Sequence, residues 1–399
     1  MELTLLGTGA PAGLPRSDCP CAVCALARGP RARAATALLV DGALLLDLTP
    51  GAALAAARAG HSLVGVRQVL LTHPHNGPAV ELPAGLPPAG RVPDGRVLTL
   101  ISGHRVRAVP MDHPGTGYEV TSPDGDRLLY LPPGAAPAGL AEGLAAYEMV
   151  VADVVGRPDA IARLRAAGAA GATTDVIAVH LDHDVPGGPE LDRRLAAAGA
   201  RAVPDGTTLI VGEYHAVPDV PRRTLVTGGA RSGKSMEAER RLESFPEVLY
   251  IATGGAREGD AEWAERIALH RERRPGSWRT EETCDLVPLL AEDGPALLID
   301  CLSLWLTDAM DRVGAWDDAV WRADGERALR ERVAELVTAV RETPRTVVAV
   351  TNEAGSGVVP ATASGRRFRD ELGRLNAAFA AECEQVLLVV AGQAQVLRS

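Results

Sequence analysis

The chain has 399 residues, 46% of them apolar and 23% charged, and a formal net charge of −10. This composition excludes a disordered chain, and no apolar run approaches the roughly 20 residues of a membrane span. Residues 1–217 carry 17 basic side chains against 21 acids, and residues 218–399 carry 24 against 30, so neither half has the basic excess of a nucleic-acid-binding domain. The opening MELTLLGTGAP has no basic segment followed by a long apolar stretch, so no signal peptide and a cytoplasmic location are expected.

The length suggests two domains. All five Trp and all three Phe lie beyond residue 217, and HAVPDVPRR (215–223) holds two prolines, which break helix and strand alike. A first domain over 1–215, a linker over 216–222 and a second domain over 223–399 are expected.

In chain order, residues 2–11 read as a strand running into a Gly turn. Residues 37–51 read as two strands joined at Asp41-Gly42, a strong hairpin signal. VLLTHPHNGP (69–78), VPMDHPGTGYEV (109–120), RLLYLPP (127–133) and VIAVHLDHD (176–184) follow. Between the first strand and the hairpin, Cys19, Cys21 and Cys24 form C-x-C-x2-C. They are too close for mutual disulfides and suit a structural zinc completed by a fourth ligand from elsewhere. Cys284, Cys301 and Cys383 read as small buried residues.

The second half begins with a short strand, TLVT (224–227), leading into GGARSGKS: Gly228, Gly229, Ala230, Arg231, Ser232, Gly233, Lys234 and Ser235. This is the G-x4-G-K-[ST] phosphate-binding loop. Its glycines let backbone N–H groups turn inward, the following helix offers its N-terminal dipole, Lys234 reaches phosphate oxygens and Ser235 can ligate Mg²⁺. Lys234 is the one lysine beside 40 arginines. A surviving lysine marks a place where a compact ammonium serves and a planar guanidinium does not.

Residues 248–252 (VLYIA) then read as a strand and 261–271 as a helix. Residues 296–300 (ALLID) form an acid-ended strand that would set Asp300 near Mg²⁺. A long helix is expected over 318–341, a buried strand over 346–351 and a last strand over 385–391. Phe368, Leu372, Leu375 and Phe379 lie on one helical face. Strands alternating with helices predict a mostly parallel P-loop (RecA-like) α/β sheet covered on both faces.

TLVTGGARSGKS, LYIATG (249–254), RIALHRERRP (266–275), WRTEE (278–282), LLIDCLSLWLT (297–307), TNEAGSGVVP (351–360) and RRFRDELGRLN (366–376) together resemble one family. It is the bifunctional adenosylcobinamide kinase/adenosylcobinamide-phosphate guanylyltransferase of cobalamin biosynthesis, and the resemblance covers essentially all of 223–399. It implies phosphorylation of adenosylcobinamide by ATP or GTP, then transfer of GMP from GTP through a guanylylated histidine, giving adenosylcobinamide-GDP and pyrophosphate. His270, in H-x3-R-P, matches that histidine. Imidazole is a competent nucleophile near neutral pH, and Arg271, Arg273 and Arg274, with Glu272 among them, flank it where phosphate charge moves. Ala252, Thr253 and Gly254 match a nucleotide-contacting turn, Glu282 an acid that contacts guanosine, and Asp300 the acidic-strand carboxylate. Asn352 and Glu353 fall in a motif near the site, or in a turn after a buried strand. The family implies a homo-oligomer.

The first half resembles the metallo-β-lactamase fold, an αβ/βα sandwich, in its phosphodiesterase and quinone-cofactor-biosynthesis branches. The H-x-H-x-D-H motif of that fold is broken. His73 and His75 are present, but Gly77 and Pro78 replace the Asp and the second-metal His, and Tyr130-Leu131-Pro132-Pro133 replaces a strand ending in a bridging Asp. His113 is retained, and either His180 or His183 matches the last ligand. The phosphodiesterase branch completes its cysteine site with a distant histidine, for which His215 is the candidate. The first domain is therefore expected to be non-catalytic. The alternatives are a metallo-hydrolase with a regulatory nucleotide-binding domain, against which the broken motif argues, and a GTP-binding switch, which has no use for HRERRP or WRTEE.

Overall fold

Alternation of side chains along short apolar runs builds the first unit. The computed structural model describes residues 1–73, 82–141, 143–213, 215, 220–254 and 274–399. It divides the chain into Met1–Val220 and Pro221–Ser399. The linker expected at 216–222 falls mostly outside the described residues.

In the first unit the elements are β1 (Glu2–Gly7), α1 (Ala22–Leu26), β2 (Ala37–Val40), β3 (Leu44–Leu46), α2 (Ala52–Arg58), β4 (Gln68–Leu70), β5 (Ala89–Gly90), β6 (Val97–Thr99), β7 (Arg105–Pro110), β8 (Thr116–Thr121), β9 (Arg127–Tyr130), β10 (Met149–Ala152), α3 (Pro158–Ala166), β11 (Asp175–Ala178), α4 (Pro189–Ala197) and β12 (Thr207–Ile210). They form two six-stranded sheets, ordered β12-β1-β2-β3-β4-β5 and β11-β10-β9-β8-β7-β6. The Asp41-Gly42 hairpin forms as expected, with both residues left-handed (φ 45° and 62°).

Period-two patterning decides which layer each side chain joins. Leu38 and Val40 of β2 pack between the sheets with Val120, Leu128 and Val151, whereas Leu39 points outward to Leu45 and Val69. Residues of α3 and α4, such as Ile161 and Leu191, cover Leu129, Val150 and Val176 on the outer face of the second sheet. The result is the expected sandwich, with helices outside two packed sheets.

The second unit contains β13 (Arg223–Gly228), α5 (Lys234–Arg240), β14 (Val248–Ala252), β15 (Arg279–Glu282), α6 (Leu286–Ala291), β16 (Ala296–Asp300), α7 (Leu302–Arg312), α8 (Glu326–Glu342), β17 (Val347–Asn352), α9 (Ala363–Ala381), β18 (Gln385–Val390) and β19 (Gln393–Arg398). The sheet order is β15-β14-β16-β17-β13-β18-β19, parallel throughout except for β18–β19. Its strands β13, β14, β16, β17 and most of β18 are buried on both faces. Leu225, Leu297 and Ile299 pack with α7, α8 and α9, including Leu372, Leu375 and Phe379 of the expected apolar stripe. Val226, Leu298, Val348 and Leu387 form the core of the other face with Ala238 and Leu242. Each fully buried Leu or Phe contributes about 1.5–3 kcal/mol.

Two details differ from expectation. The helix expected over 318–341 begins as a short turn at Asp318–Val320 and a wide π turn at Trp321–Gly325 before α8. Gly325 permits this packing, since a Cβ there would lie 3.0 Å from the Val313 carbonyl oxygen. β15 and the antiparallel β19 are additional strands. The helix expected over 261–271 lies outside the described residues. No described helix is long and apolar enough to cross a membrane.

Candidate functional site: the phosphate loop and its strand ends

The parallel register brings the sequence-predicted residues of the second unit to one edge. Ala252 pairs with Glu282 on one side and Asp300 on the other, Asp300 with Val350, and Gly228 with Asn352. Strand C-termini of a doubly covered parallel sheet line a ligand crevice.

The loop after β13 is dictated by its glycines. A Cβ on Gly228 would lie 2.5 Å from the Val389 carbonyl oxygen and 2.6 Å from Ser232 Oγ, so only glycine fits. Gly233 adopts φ +96° immediately before α5. Lys234 is buried, and its Nζ donates to the Gly229 carbonyl at 3.2 Å, spanning the loop. The hydroxyls of Thr227 and Ser232 are buried with no hydrogen-bond partner among the described residues. Orphaned hydroxyls at a Gly-rich turn fit a site made for a polar ligand.

Asp300 ends β16, and its Oδ2 accepts from the Tyr250 hydroxyl at 2.6 Å. With Ser235 it supplies hard oxygen donors of the kind Mg²⁺ takes. Thr253 follows β14 and is locked to the start of α7. Its Oγ1 donates to the Cys301 carbonyl (2.7 Å) and accepts from Cys301 N–H (2.8 Å). Asn352 Nδ2 donates to Ser303 Oγ (2.7 Å), and its carbonyl accepts from Asn376 Nδ2 (3.0 Å). Asn376 Oδ1 accepts from Thr351 Oγ1 (2.7 Å). Asn352 thus ties β17 to α7 and α9, and Glu353 N–H donates to the Gly228 carbonyl (3.1 Å). The TNE segment is therefore more than a turn: it braces the entrance to the loop. His270, Arg271, Glu272 and Arg273 lie outside the described residues. Arg274 is described, with its guanidinium 3.2 Å from the Tyr250 ring centroid.

In the first unit Cys19, Cys21, Cys24 and His183 form one group, with ligand atoms within 4.8 Å of one another. His183 Nδ1 lies 3.2, 3.6 and 3.6 Å from the three sulfurs in that order. Three thiols and one imidazole at these separations fit a closed tetrahedral zinc site. The fourth position, read from the sequence as His215, is taken by His183 instead. The reason is local. Leu181 N–H donates to the Thr8 carbonyl, Ala10 N–H to the Leu181 carbonyl, and Arg16 pairs with Asp182, so the 181–183 segment is zipped onto the cysteine loop. Cys24 N–H donates to Cys21 Sγ, and this bond leads in lowering the Cys21 thiol to about 7. Burial raises the Cys24 thiol.

His180 and His183, interchangeable in sequence, go to different places. His180 is buried against Tyr130 (ring centroids 5.9 Å) and His73 (6.4 Å). Tyr130 donates to the buried Asp47 carboxylate at 2.7 Å. Asp47 also accepts from Thr72 N–H (2.8 Å) and Thr72 Oγ1 (2.6 Å), and His73 Nδ1 lies 3.7 Å away. His113 lies against Asp112 and Arg157, and His75 is outside the described residues. Tyr130 and Thr72 thus make a hydrogen-bonded cluster around the one Asp47 carboxylate.

Residues 224–397 match the family described as cobinamide kinase/cobinamide phosphate guanyltransferase. A bifunctional adenosylcobalamin biosynthesis protein, CobP of Pseudomonas aeruginosa, is 49% identical over 176 residues, covering 43% of this chain and 94% of that one. CobU of Salmonella typhimurium is 40% identical over 183 residues, covering 42% and 95%. The chain belongs to the cobinamide kinase/cobinamide phosphate guanyltransferase family.

It is accordingly a nucleotide-using enzyme of cobalamin biosynthesis. A further likeness is to Zn²⁺-bound PqqB from Methylobacterium extorquens (19% identity, TM-score 0.38, 53% of this chain and 100% of that one). A diphosphatase of the PhnP family gives 19% identity and a TM-score of 0.37, covering 52% of this chain and 96% of that one. Sequence reasoning missed Tyr250, Ser303 and Asn376 in the kinase/guanyltransferase unit. The available signal was a tyrosine inside a buried strand, whose hydroxyl needs a partner.

Burial, and next the neighbouring His73, push His180 down to about 3, against 6.5 when exposed. Between those values the unfolded chain binds the extra proton, so stability falls as pH drops through that window. The urea midpoint of the wild type should decline more steeply from pH 6.5 to 4 than that of His180→Gln. Equal slopes would contradict the buried neutral imidazole.

Proposed function

We propose that the second unit carries out both reactions of its family at the single phosphate loop, with His270 as covalent carrier. The observation that carries this reading is the shared edge: the Gly228–Ser235 loop, Ala252 to Gly254, Glu282 and Asp300 all belong to strand ends held in register. In the first reaction the corrinoid aminopropanol hydroxyl attacks the γ-phosphorus of ATP or GTP and the nucleoside diphosphate leaves. Loop N–H groups and Lys234 hold the phosphate oxygens as charge shifts to the leaving group. Asp300 and Ser235 would hold Mg²⁺, whose charge would offset that of the nucleotide phosphates.

In the second reaction a His270 ring nitrogen attacks the α-phosphorus of GTP, forming N–P and releasing pyrophosphate. The phosphate of adenosylcobinamide phosphate then attacks the same phosphorus, giving adenosylcobinamide-GDP and restoring His270. Arg271, Arg273 and Arg274 neutralise the moving charge, and Glu282 takes the guanine. The first unit is a non-catalytic domain with a structural zinc on Cys19, Cys21, Cys24 and His183.

Two measurements test this. His270 is the only histidine after residue 215 and Lys234 the only lysine, so an acid-labile phosphoramidate has few possible hosts in the second unit. GTP labelled at the α-phosphate should leave an acid-labile, base-stable label on the wild type and none on His270→Ala; label on both would exclude His270. Elemental analysis should give about one zinc per chain. That zinc should be lost in Cys24→Ser and reduced in His183→Ala, but kept in His215→Ala. Retention in His183→Ala with loss in His215→Ala would reverse the assignment.

A further inference from the structure

Tyr250 occupies the centre of β14, and its side chain is 4% exposed. In the parallel register it pairs with Thr280 of β15 and Leu298 of β16, which puts Asp300 on the diagonal two residues along. An aromatic side chain reaches that diagonal neighbour. The hydroxyl accordingly donates to Asp300 Oδ2 at 2.6 Å, while Oδ1 accepts no hydrogen bond among the described residues.

The ring has a second occupant. The Arg274 guanidinium lies 3.2 Å from its centroid, and Arg274 Nη1 donates to Thr280 Oγ1 at 3.3 Å. Arg274 is four residues beyond His270. One side chain therefore contacts both the carboxylate assigned to the metal and an arginine assigned to guanylyl transfer.

We propose that Tyr250 is a positioning residue with two separable roles. Its hydroxyl holds Asp300 through Oδ2 and leaves Oδ1 for the metal bound with the nucleotide, and its ring seats Arg274 for the guanylyl-transfer step. The ring's role rests on the His270 reading; the hydroxyl's does not. A hydrogen bond to a charged group is strong enough that its loss is read as about a tenfold effect. A guanidinium stacked on a buried ring is held to a comparable degree.

The test uses the full chain and two readouts. Mn²⁺ affinity is measured by electron paramagnetic resonance in the presence of a non-hydrolysable GTP analogue, and covalent labelling by α-labelled GTP is measured at saturating metal. Tyr250→Phe keeps the ring and loses the hydroxyl. It should bind Mn²⁺ about tenfold more weakly and label within about twofold of wild type. Tyr250→Leu loses both and should also label at least about tenfold more slowly at saturating metal. Unchanged Mn²⁺ affinity in Tyr250→Phe overturns the hydroxyl's role. Labelling of Tyr250→Leu at the rate of Tyr250→Phe overturns the ring's role. If Tyr250→Leu does not fold, Arg274→Met, which removes the stacked guanidinium, should slow labelling at unchanged Mn²⁺ affinity; normal labelling overturns the ring's role. A wild type that takes no label removes the His270 reading and the ring's role with it, while the Mn²⁺ titration still decides the hydroxyl's.

Discussion

The in-register parallel pairing of β13, β14, β16 and β17 is the constraint on which the catalytic unit depends. Gly228, Ala252, Asp300 and Asn352 are 24 to 124 residues apart along the chain, yet the pairings Gly228–Asn352 and Ala252–Asp300 bring them to one edge. A slip of one residue would turn Asp300 to the opposite face and carry Tyr250 away from it. Burial on both faces, by Leu225 and Ile299 on one and Val226 and Leu298 on the other, makes such a slip costly. Core packing thus sets the position of the polar residues, and the short hydrogen bonds around Thr253, Asn352 and Asn376 refine it.

The same logic applied to the first unit gives a different outcome. Its two sheets pack face to face, and several polar groups are buried among them, Asp47, Thr72 and His180 included. Tyr130 and Thr72 satisfy the buried Asp47, and His180 is held neutral between Tyr130 and His73. A group of donors able to hold a metal lies instead where Arg16–Asp182 and the Leu181 backbone bonds close two loops, bringing His183 to three cysteines. Among the described residues, three thiols and one imidazole gather there in a single four-donor group. A closed site of that kind stabilises loops and leaves no open coordination position for a reaction.

What could be read from the chain follows from how local each signal is. The phosphate loop was legible because backbone geometry demands glycine at Gly228 and Gly233, and the Asp41-Gly42 hairpin because its turn needs two left-handed residues. The stripe from Phe368 to Phe379 was legible because helical periodicity reports burial directly. The fourth ligand of the cysteine group was not, because His183 is 159 residues from Cys24 and nothing local distinguishes it from His180 or His215. Tyr250 was hidden because a tyrosine in VLYIA looks like core, and only the diagonal across the sheet shows its partner. β19 escaped because QAQVLR is mostly exposed and does not alternate. The π turn at Trp321–Gly325 escaped because the helical pattern runs through it.

The central claim is that one phosphate loop serves both reactions, and Lys234 is the residue through which to test it. The decisive measurement supplies Lys234→Ala in turn with adenosylcobinamide and with adenosylcobinamide phosphate, and follows the products by mass spectrometry. A shared loop predicts that phosphorylation and guanylyl transfer both fall at least about a hundredfold, because the same ammonium serves both nucleotide phosphates. Guanylyl transfer to the pre-phosphorylated substrate at the wild-type rate, with phosphorylation abolished, would show two separate nucleotide sites and contradict the account.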